Sequence, residues 1–373
     1  MAEPSLSPDR KEVAFASGGD IWTVPVDGGE ARLLLSHPAN DSRPLFSPDG
    51  KRLAFLSNRD GASNVYVLEL DNGTLRRLTY SDSTEILDGW SRDSRYVYFS
   101  SAAGDVGSTL DIYRVRANGG TPVKVSADRY ASEFHAAPTP DGARLLFVAR
   151  GVGASQWWRK GRSHLDESEI WILDESAAVK DQMLLGQGAK QLWPQWMPDG
   201  KAFYFVSDRI NGQQNIHLYT FGKGERAVTS FTKGRVLYPN LSIDGKTLVF
   251  ERDFGIWKMD TASGKAERMA ITLRGTPAGP ALSDRVTVTG GFSGLAVSGD
   301  GKKIALVARG EVWAASKDGG EAFRVTRNVD ADGEPQWSPD STQLAYLSEG
   351  AGARQLMLYD FAKKESRALT TAP

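Results

Sequence analysis

The sequence predicts an all-β protein, a β-propeller of eight four-stranded blade repeats. Three observations carry this: a turn tetrapeptide recurring at blade spacing, apolar alternation of period two after each copy, and a composition suited to short strands and tight turns. The tetrapeptide appears as Ser7-Pro8-Asp9-Arg10, Ser47-Pro48-Asp49-Gly50, Ser91-Arg92-Asp93-Ser94 and Thr139-Pro140-Asp141-Gly142. It returns as Met197-Pro198-Asp199-Gly200, Ser242-Ile243-Asp244-Gly245, Ser298-Gly299-Asp300-Gly301 and Ser338-Pro339-Asp340-Ser341. Successive aspartates lie 40 to 58 residues apart, the period of a four-stranded blade. The 39 Gly, 17 Pro and 10 Trp fit many hairpins with large aromatics between sheets.

Each element follows from its residues. In the tetrapeptide, Pro presets φ, Asp bonds nearby backbone N–H groups and Gly accepts positive φ. Eight near-copies read as repeated hairpins rather than as metal or catalytic aspartates. A strand follows each turn, as in Val13-Ala14-Phe15, Leu53-Ala54-Phe55, Val97-Tyr98-Phe99 and Phe203-Tyr204-Phe205. A third strand then brings an aromatic expected to pack between blades: Trp22, Tyr66, Tyr113, Trp171, Trp257 and Trp313, with His217 standing in for it in blade five and Tyr359 expected in blade eight. Polar turns such as Asp27-Gly28-Gly29 lead to outer strands such as Arg76-Arg77-Leu78-Thr79. Only Ala177 to Leu185 leaves room for one or two helical turns.

One sheet cannot cover both its faces, so the units stack around an axis. The spacing places a six-bladed ring in residues 1–271, a linker rich in Pro and Gly in 272–294 and two further blades in 295–373. One eight-bladed ring is the alternative, because it would leave no blade without a neighbour.

The composition excludes several classes of function. The 373 residues carry 45 basic and 46 acidic side chains, so nothing points to a nucleic-acid partner. There is no cysteine, which removes disulfides, thiolate metal sites and a cysteine nucleophile. No apolar run approaches the roughly 18 residues of a membrane-spanning helix. The first residues lack the pattern of a signal peptide, although a chain whose signal had been replaced by Met would look the same. There is no Gly-x-Ser-x-Gly elbow, phosphate loop or His-Glu-x-x-His. The four histidines, His37, His135, His164 and His217, are widely spaced, and His217 reads as a packing residue. Neither a catalytic group nor a metal or other cofactor is expected. Asn40, Asn72 and Asn240 stand in sequons and read as turn residues.

Binding remains. Residues just before the inner strands should ring the channel mouth: Arg43, Asp88, His135, Trp193, Arg235 and Tyr238. Cations, an anion and aromatics together suit a peptide. The insertion from Gly151 to Glu167 should reach the same face with Trp157, Trp158, Arg159, Lys160 and Arg162. A solvated surface and a packed lid are the plainer readings of these two groups.

The repeats resemble TolB-like propeller repeats, and the chain is similar to the amino-terminal propeller region of tricorn-like serine peptidases. The likeness rests on Gly19-Asp20-Ile21-Trp22-Thr23-Val24-Pro25 with Gly28-Gly29-Glu30-Ala31, and on Trp157-Trp158-Arg159-Lys160-Gly161-Arg162 ahead of Ile170-Trp171-Ile172. It extends through Thr276-Pro277-Ala278-Gly279-Pro280 and Val307-Ala308-Arg309-Gly310-Glu311-Val312. The resemblance implies a six-bladed ring followed by the start of a seven-bladed one. It also implies a non-catalytic module that binds or guides peptides, with carboxy-terminal peptidase modules as partners. The family's catalytic residues have no counterpart here. The alternatives are a TolB-like protein-interaction scaffold of the cell envelope, and an independent hydrolase or lyase using the channel. A periplasmic or secreted location is expected, with the cytoplasm left open.

Overall fold

Eight sheets, each with four antiparallel strands, follow one another along the chain among the described residues. The computed structural model describes residues 1–104, 108–126, 128, 131–151, 158–159, 162–163, 167–186, 188–274, 290–328, 330–350 and 353–370. Among them there is no helix. The chain divides into two compact units, Met1–Gly275 and Thr276–Pro373.

The first unit holds six sheets, whose innermost strands are Ala2–Leu6, Asp41–Phe46, Glu85–Trp90, Ala131–Pro138, Gln191–Trp196 and Val236–Leu241. In every sheet a tight turn from the repeated tetrapeptide leads to the second strand, and where the tetrapeptide begins with serine this turn is held by the serine as well as the aspartate. Ser47 Oγ donates to Asp49 Oδ1 (2.6 Å) and accepts from Arg52 N (3.0 Å), while Asp49 accepts from Lys51 N (3.1 Å). The same serine bond to the start of the second strand recurs from Ser7, Ser91, Ser242, Ser298 and Ser338. The outer strand is latched by a threonine. Thr79, Thr229 and Thr326 accept from the backbone of Val65, Ile216 and Val312, and their hydroxyls donate to Glu85, Asn215 and Glu311.

The second and third strands carry a cross-strand ring ladder. Phe15 faces Trp22, Phe55 faces Tyr66, Phe99 faces Tyr113, Phe147 faces Trp171, Phe205 faces His217 and Phe250 faces Trp257. Directly opposed aromatics bury the most apolar area per residue of strand. In the eighth sheet, however, the residue opposite Tyr346 is Met357, and Tyr359 pairs with Leu344. Tyr359 is nevertheless buried in the core shared by the seventh and eighth sheets, as the repeat predicts.

Six apolar clusters sit at six seams of the first unit. Ala14 and Ile21 pack on Leu53 and Phe55 of the second sheet. Leu45 and Val67 pack on Leu87 and Phe99 of the third, and Tyr98 and Ile112 on Leu145 and Phe147 of the fourth. Leu146 and Ile170 pack on Phe203 and Phe205 of the fifth, and Trp193 and Ile216 on Leu248 and Phe250 of the sixth. The sixth contact returns to the start of the chain, where Leu6, Val13 and Phe15 pack with Val249, Ile256 and Met269. Leu6 N donates to Asn240 Oδ1 (2.9 Å), Gly29 N donates to Ala270 O (2.7 Å) and Arg10 pairs with Asp244 (3.2 Å) across the same seam.

Two expectations need correction. Ala177 to Leu185 forms no helical turn: Asp181–Leu185 is the outer strand of the fourth sheet. The segment lacks the paired apolar face of a helix, and Leu185 is buried as a strand residue. Thr272 and Leu273, where the linker was expected to begin, join Ile271 in a fifth strand of the first sheet, parallel to Gly29–Ala31. That edge offers unpaired backbone groups, which a passing extended segment satisfies. Gly28, at φ +88°, allows the approach, since a Cβ there would lie 2.5 Å from Ala270 O. Residues 275–289, including the Thr-Pro-Ala-Gly-Pro run, lie outside the described residues.

The second unit contains two sheets, beginning with Phe292–Val297 and Ala331–Trp337. They share a core of Ala305, Val307, Val312, Leu344, Tyr346 and Tyr359. Phe292, Leu295 and Val297 are exposed on the first of these strands.

The turn chemistry yields a prediction. Ser47→Ala removes both bonds of a fully buried hydroxyl and should lower stability by about 1–2 kcal/mol. Urea unfolding should show a lower midpoint with an unchanged slope.

Candidate functional site

Most innermost strands of the first unit carry a residue with positive φ where the ladder register slips. These residues are Glu3 (φ 56°), Arg43 (52°), His135 (55°), Trp193 (53°) and Tyr238 (49°). In the third sheet the slip falls at Asp88, skipped between the pairs Leu87–Phe99 and Gly89–Tyr98. A bulge re-aims one side chain away from the alternation of its strand. Proline follows at 4, 44, 194 and 239, where the slipped ladder leaves no call for an N–H donor.

The re-aimed groups meet. Arg43 N donates to Glu3 Oε2 (2.6 Å), and Arg43 Nε donates to Leu87 O (3.3 Å). The Arg43 guanidinium lies 5.0 Å from the Tyr238 ring centre. Tyr238 packs on Trp193 (5.2 Å), and Trp193 stacks on His135 (4.9 Å, 28°). His135 N donates to Asp88 Oδ1 (2.9 Å), and Ser100 Oγ donates to Asp88 Oδ2 (2.5 Å). Five of the six proposed mouth residues therefore form one cluster. They lie within the inner strands rather than ahead of them, because the bulge turns an interior strand position inward. Arg235 is the exception: it precedes its strand and stays exposed. Glu3 belongs to the cluster and was not singled out from sequence, although Glu3-Pro4 repeats the pattern of Arg43-Pro44, Trp193-Pro194 and Tyr238-Pro239. Trp157 lies outside the described residues. Trp158–Arg159 forms a two-stranded ribbon with Arg162–Ser163.

Burial controls the charges. It pushes Asp88 up to about 7, against its bonds from Ser100, Ala136 and His135 and the charge of Arg43. It also holds His135 well below its ordinary range, with help from Arg43 and Arg150, so the imidazole is neutral. Serine, aspartate and histidine meet here without forming a hydrolytic relay. Asp88 contacts the backbone of His135, not its ring, and His135 Nδ1 has no hydrogen-bond partner among the described residues. Arg43 Nη1 and Trp193 Nε1 are likewise buried without a partner. No group of three His, Asp or Glu side chains among the described residues could hold a metal ion.

Beyond the cluster, toward the tetrapeptide turns, lies a cavity of about 170 Å³ lined from all six sheets. Pro8, Pro48 and Pro140 supply apolar wall, while Gln195 and Asn240 supply amides. Arg92 replaces the turn proline of the third sheet, and its Nη2 donates to Ile243 O of the sixth sheet (2.9 Å). His217, by contrast, is buried in the ring ladder against Phe205 (5.4 Å), and burial lowers its pKa.

The family model described as the tricorn protease N-terminal beta propeller domain matches residues 1–265. Tricorn protease homolog 1 of Streptomyces coelicolor is 26% identical over 378 residues, covering 94% of this chain and 34% of that protein. Tricorn protease of Thermoplasma acidophilum is 25% identical over 371 residues, covering 96% of this chain and 32% of that protein. The chain thus spans about a third of the length of these curated relatives. The crystal structure of the tricorn protease superposes with a TM-score of 0.70 at 19% identity, covering 99% of this chain and 35% of that one. A putative TolB from Agrobacterium tumefaciens superposes at 0.50 with 22% identity, covering 64% and 83%.

The buried carboxyl sets a pH dependence. A carboxyl whose folded pKa is raised favours folding while protonated, and that contribution is lost as pH rises from the usual 4 or so to about 7. Neutral His135 acts in the opposite sense, because the unfolded chain takes up its proton below about 6.5. Asp88→Asn isolates the first effect. Its stability change between about pH 5 and pH 7 should be more favourable than that of the parent by about 1–2 kcal/mol. Chemical denaturation at the two pH values measures the difference.

Proposed function

The chain belongs to the tricorn protease N-terminal β-propeller domain family, and from that premise we propose that it is a non-catalytic module that binds and guides peptides for a peptidase. The observation that carries the reading is the match of 265 residues to a domain defined within that protease. The axial cluster is consistent with binding rather than chemistry. It offers a cation, stacked aromatics and unpartnered donors, and its carboxylate bonds the backbone of His135 rather than the ring. Peptide backbones and side chains take up such donors and ring faces.

On the same reading, residues 1–271 form a closed six-bladed ring and residues 295–373 begin a second propeller, joined by the intervening linker. Support comes from the apolar and hydrogen-bonded seam between the first and sixth sheets, and from the break between units at Gly275. The partner modules would be the peptidase portion that the longer relatives possess. Trp157, Trp158 and Arg159 are proposed as a second peptide contact beside Arg43, Asp88, His135, Trp193, Arg235 and Tyr238.

Titration calorimetry with an unfolded peptide tests the reading. Saturable binding is expected, weakened about tenfold by replacing Trp157, Trp158 and Arg159 together with Ala, with circular dichroism unchanged. The purified chain should release no product from the same peptide. Absence of binding, or cleavage by the chain alone, would overturn the proposal.

A further inference from the structure

Three sheets join their second and third strands by two-residue turns with positive φ at both central positions. These turns are Gly18-Gly19 (66° and 87°), Asp253-Phe254 (49° and 57°) and Arg309-Gly310 (55° and 76°). Such turns match the twist of a hairpin, and their second position favours glycine because a Cβ is strained there. The first and seventh sheets obey this rule with Gly19 and Gly310. The sixth places Phe254 at the equivalent position. A bulky side chain held at φ 57° costs about 1 kcal/mol or more. Burial does not offset that cost, since Phe254 is 87% exposed. The fold gains nothing visible from this residue. A residue that is both strained and solvent-facing points to a use outside folding.

Its surroundings indicate the use. Segment 233–235 packs against the turn. Arg252 Nη2 donates to Lys233 O (2.9 Å), and a Cβ on Gly234 would lie 2.5 Å from Asp253 Oδ1. Asp253 is neutralised by Arg252 (2.9 Å). Lys233 and Arg235 are exposed, and neither makes an ion pair among the described residues. The Arg252 guanidinium is itself stacked 4.3 Å from the Phe231 ring and 4.9 Å from that of Trp257, which fixes the base of the turn. An exposed aromatic at the tip of this turn thus adjoins a segment that carries two exposed cations without an ion pair among the described residues. The turn follows Arg252, which pairs with Val236 at the start of the sixth inner strand, so it lies at the end where the chain enters that strand.

We propose that Phe254, with Lys233 and Arg235, is an anchor for acidic peptide segments that also carry apolar side chains. The ring fills an apolar contact while the two cations meet carboxylates, a pairing of aromatic and cation typical of dominant binding residues. This inference rests on the reading of the first unit as a peptide-binding module and names the class of peptide it takes.

The test uses the whole chain and fluorescein-labelled peptides of alternating glutamate and leucine, or of alternating lysine and leucine, read by fluorescence anisotropy. The acidic peptide should bind more tightly, and Phe254→Gly should weaken it about tenfold or more. Replacing Lys233 and Arg235 with Gln should remove the preference for the acidic peptide. The melting temperature of Phe254→Gly should rise, because glycine relieves the turn; a packing role would lower it. Equal affinity of the parent and Phe254→Gly for the acidic peptide would overturn the anchor while leaving the peptide-binding reading standing. Failure of either peptide and of an unfolded polypeptide to bind would overturn both. Binding of phosphatidylserine vesicles through Phe254, without binding of the acidic peptide, would overturn the peptide assignment in favour of a membrane surface.

Discussion

A four-stranded antiparallel sheet with apolar side chains on both faces cannot leave either face in water. Every larger feature of the first unit answers that constraint. Phe15, Phe55, Phe147, Phe205 and Phe250 are fully buried in the second strands of their sheets. Each sheet's inward alternation serves one neighbour and its outward alternation the other, so the apolar clusters fall at the seams. The seam between first and sixth sheets has the same chemistry as the rest, with Leu6 and Phe15 against Val249 and Ile256. It is reinforced by the parallel edge strand Ile271–Leu273, which covers backbone groups that the first sheet would otherwise expose. In the second unit, two sheets share one core, and Leu295 and Val297 remain in solvent.

The axial cluster follows from the same geometry. Inner strands converge, and regular alternation would place small or apolar side chains there. A bulge in each strand instead delivers one large polar or aromatic group. Positive φ at Glu3, Arg43, His135, Trp193 and Tyr238 is the local cost of that arrangement, about 1 kcal/mol for each residue. In return the groups neutralise one another: Arg43 lies among Glu3, Asp88 and Tyr238, and His135 is held uncharged between Phe134 and Trp193.

Much of this was legible in the sequence because the repeat is written in local chemistry. The Ser-Pro-Asp-Gly variants mark the first turn of each sheet, and the Phe and Trp spacing marks the ladder. The serine's own bond to the following strand was not deduced, although its recurrence signalled it. Errors arose where a contact is not local. The pairing of Ile271–Leu273 with Gly29–Ala31 joins residues more than two hundred positions apart, and nothing in either segment announces the other. Sequence spacing places the mouth residues ahead of the inner strands, whereas the bulges put all but Arg235 inside them. The signal for Glu3 is Glu3-Pro4, which matches Arg43-Pro44, Trp193-Pro194 and Tyr238-Pro239.

The seam between the first and sixth sheets is the point on which the proposed six-bladed ring depends. A double-mutant cycle between Leu6→Ala and Val249→Ala, followed by urea unfolding of the whole chain, tests it directly. Both side chains lie in one buried cluster although they are far apart in sequence. The account requires a coupling energy of about 0.5–1 kcal/mol or more between them. Strict additivity of the two losses would mean that these sheets do not share a core, and the closed arrangement would fall with it.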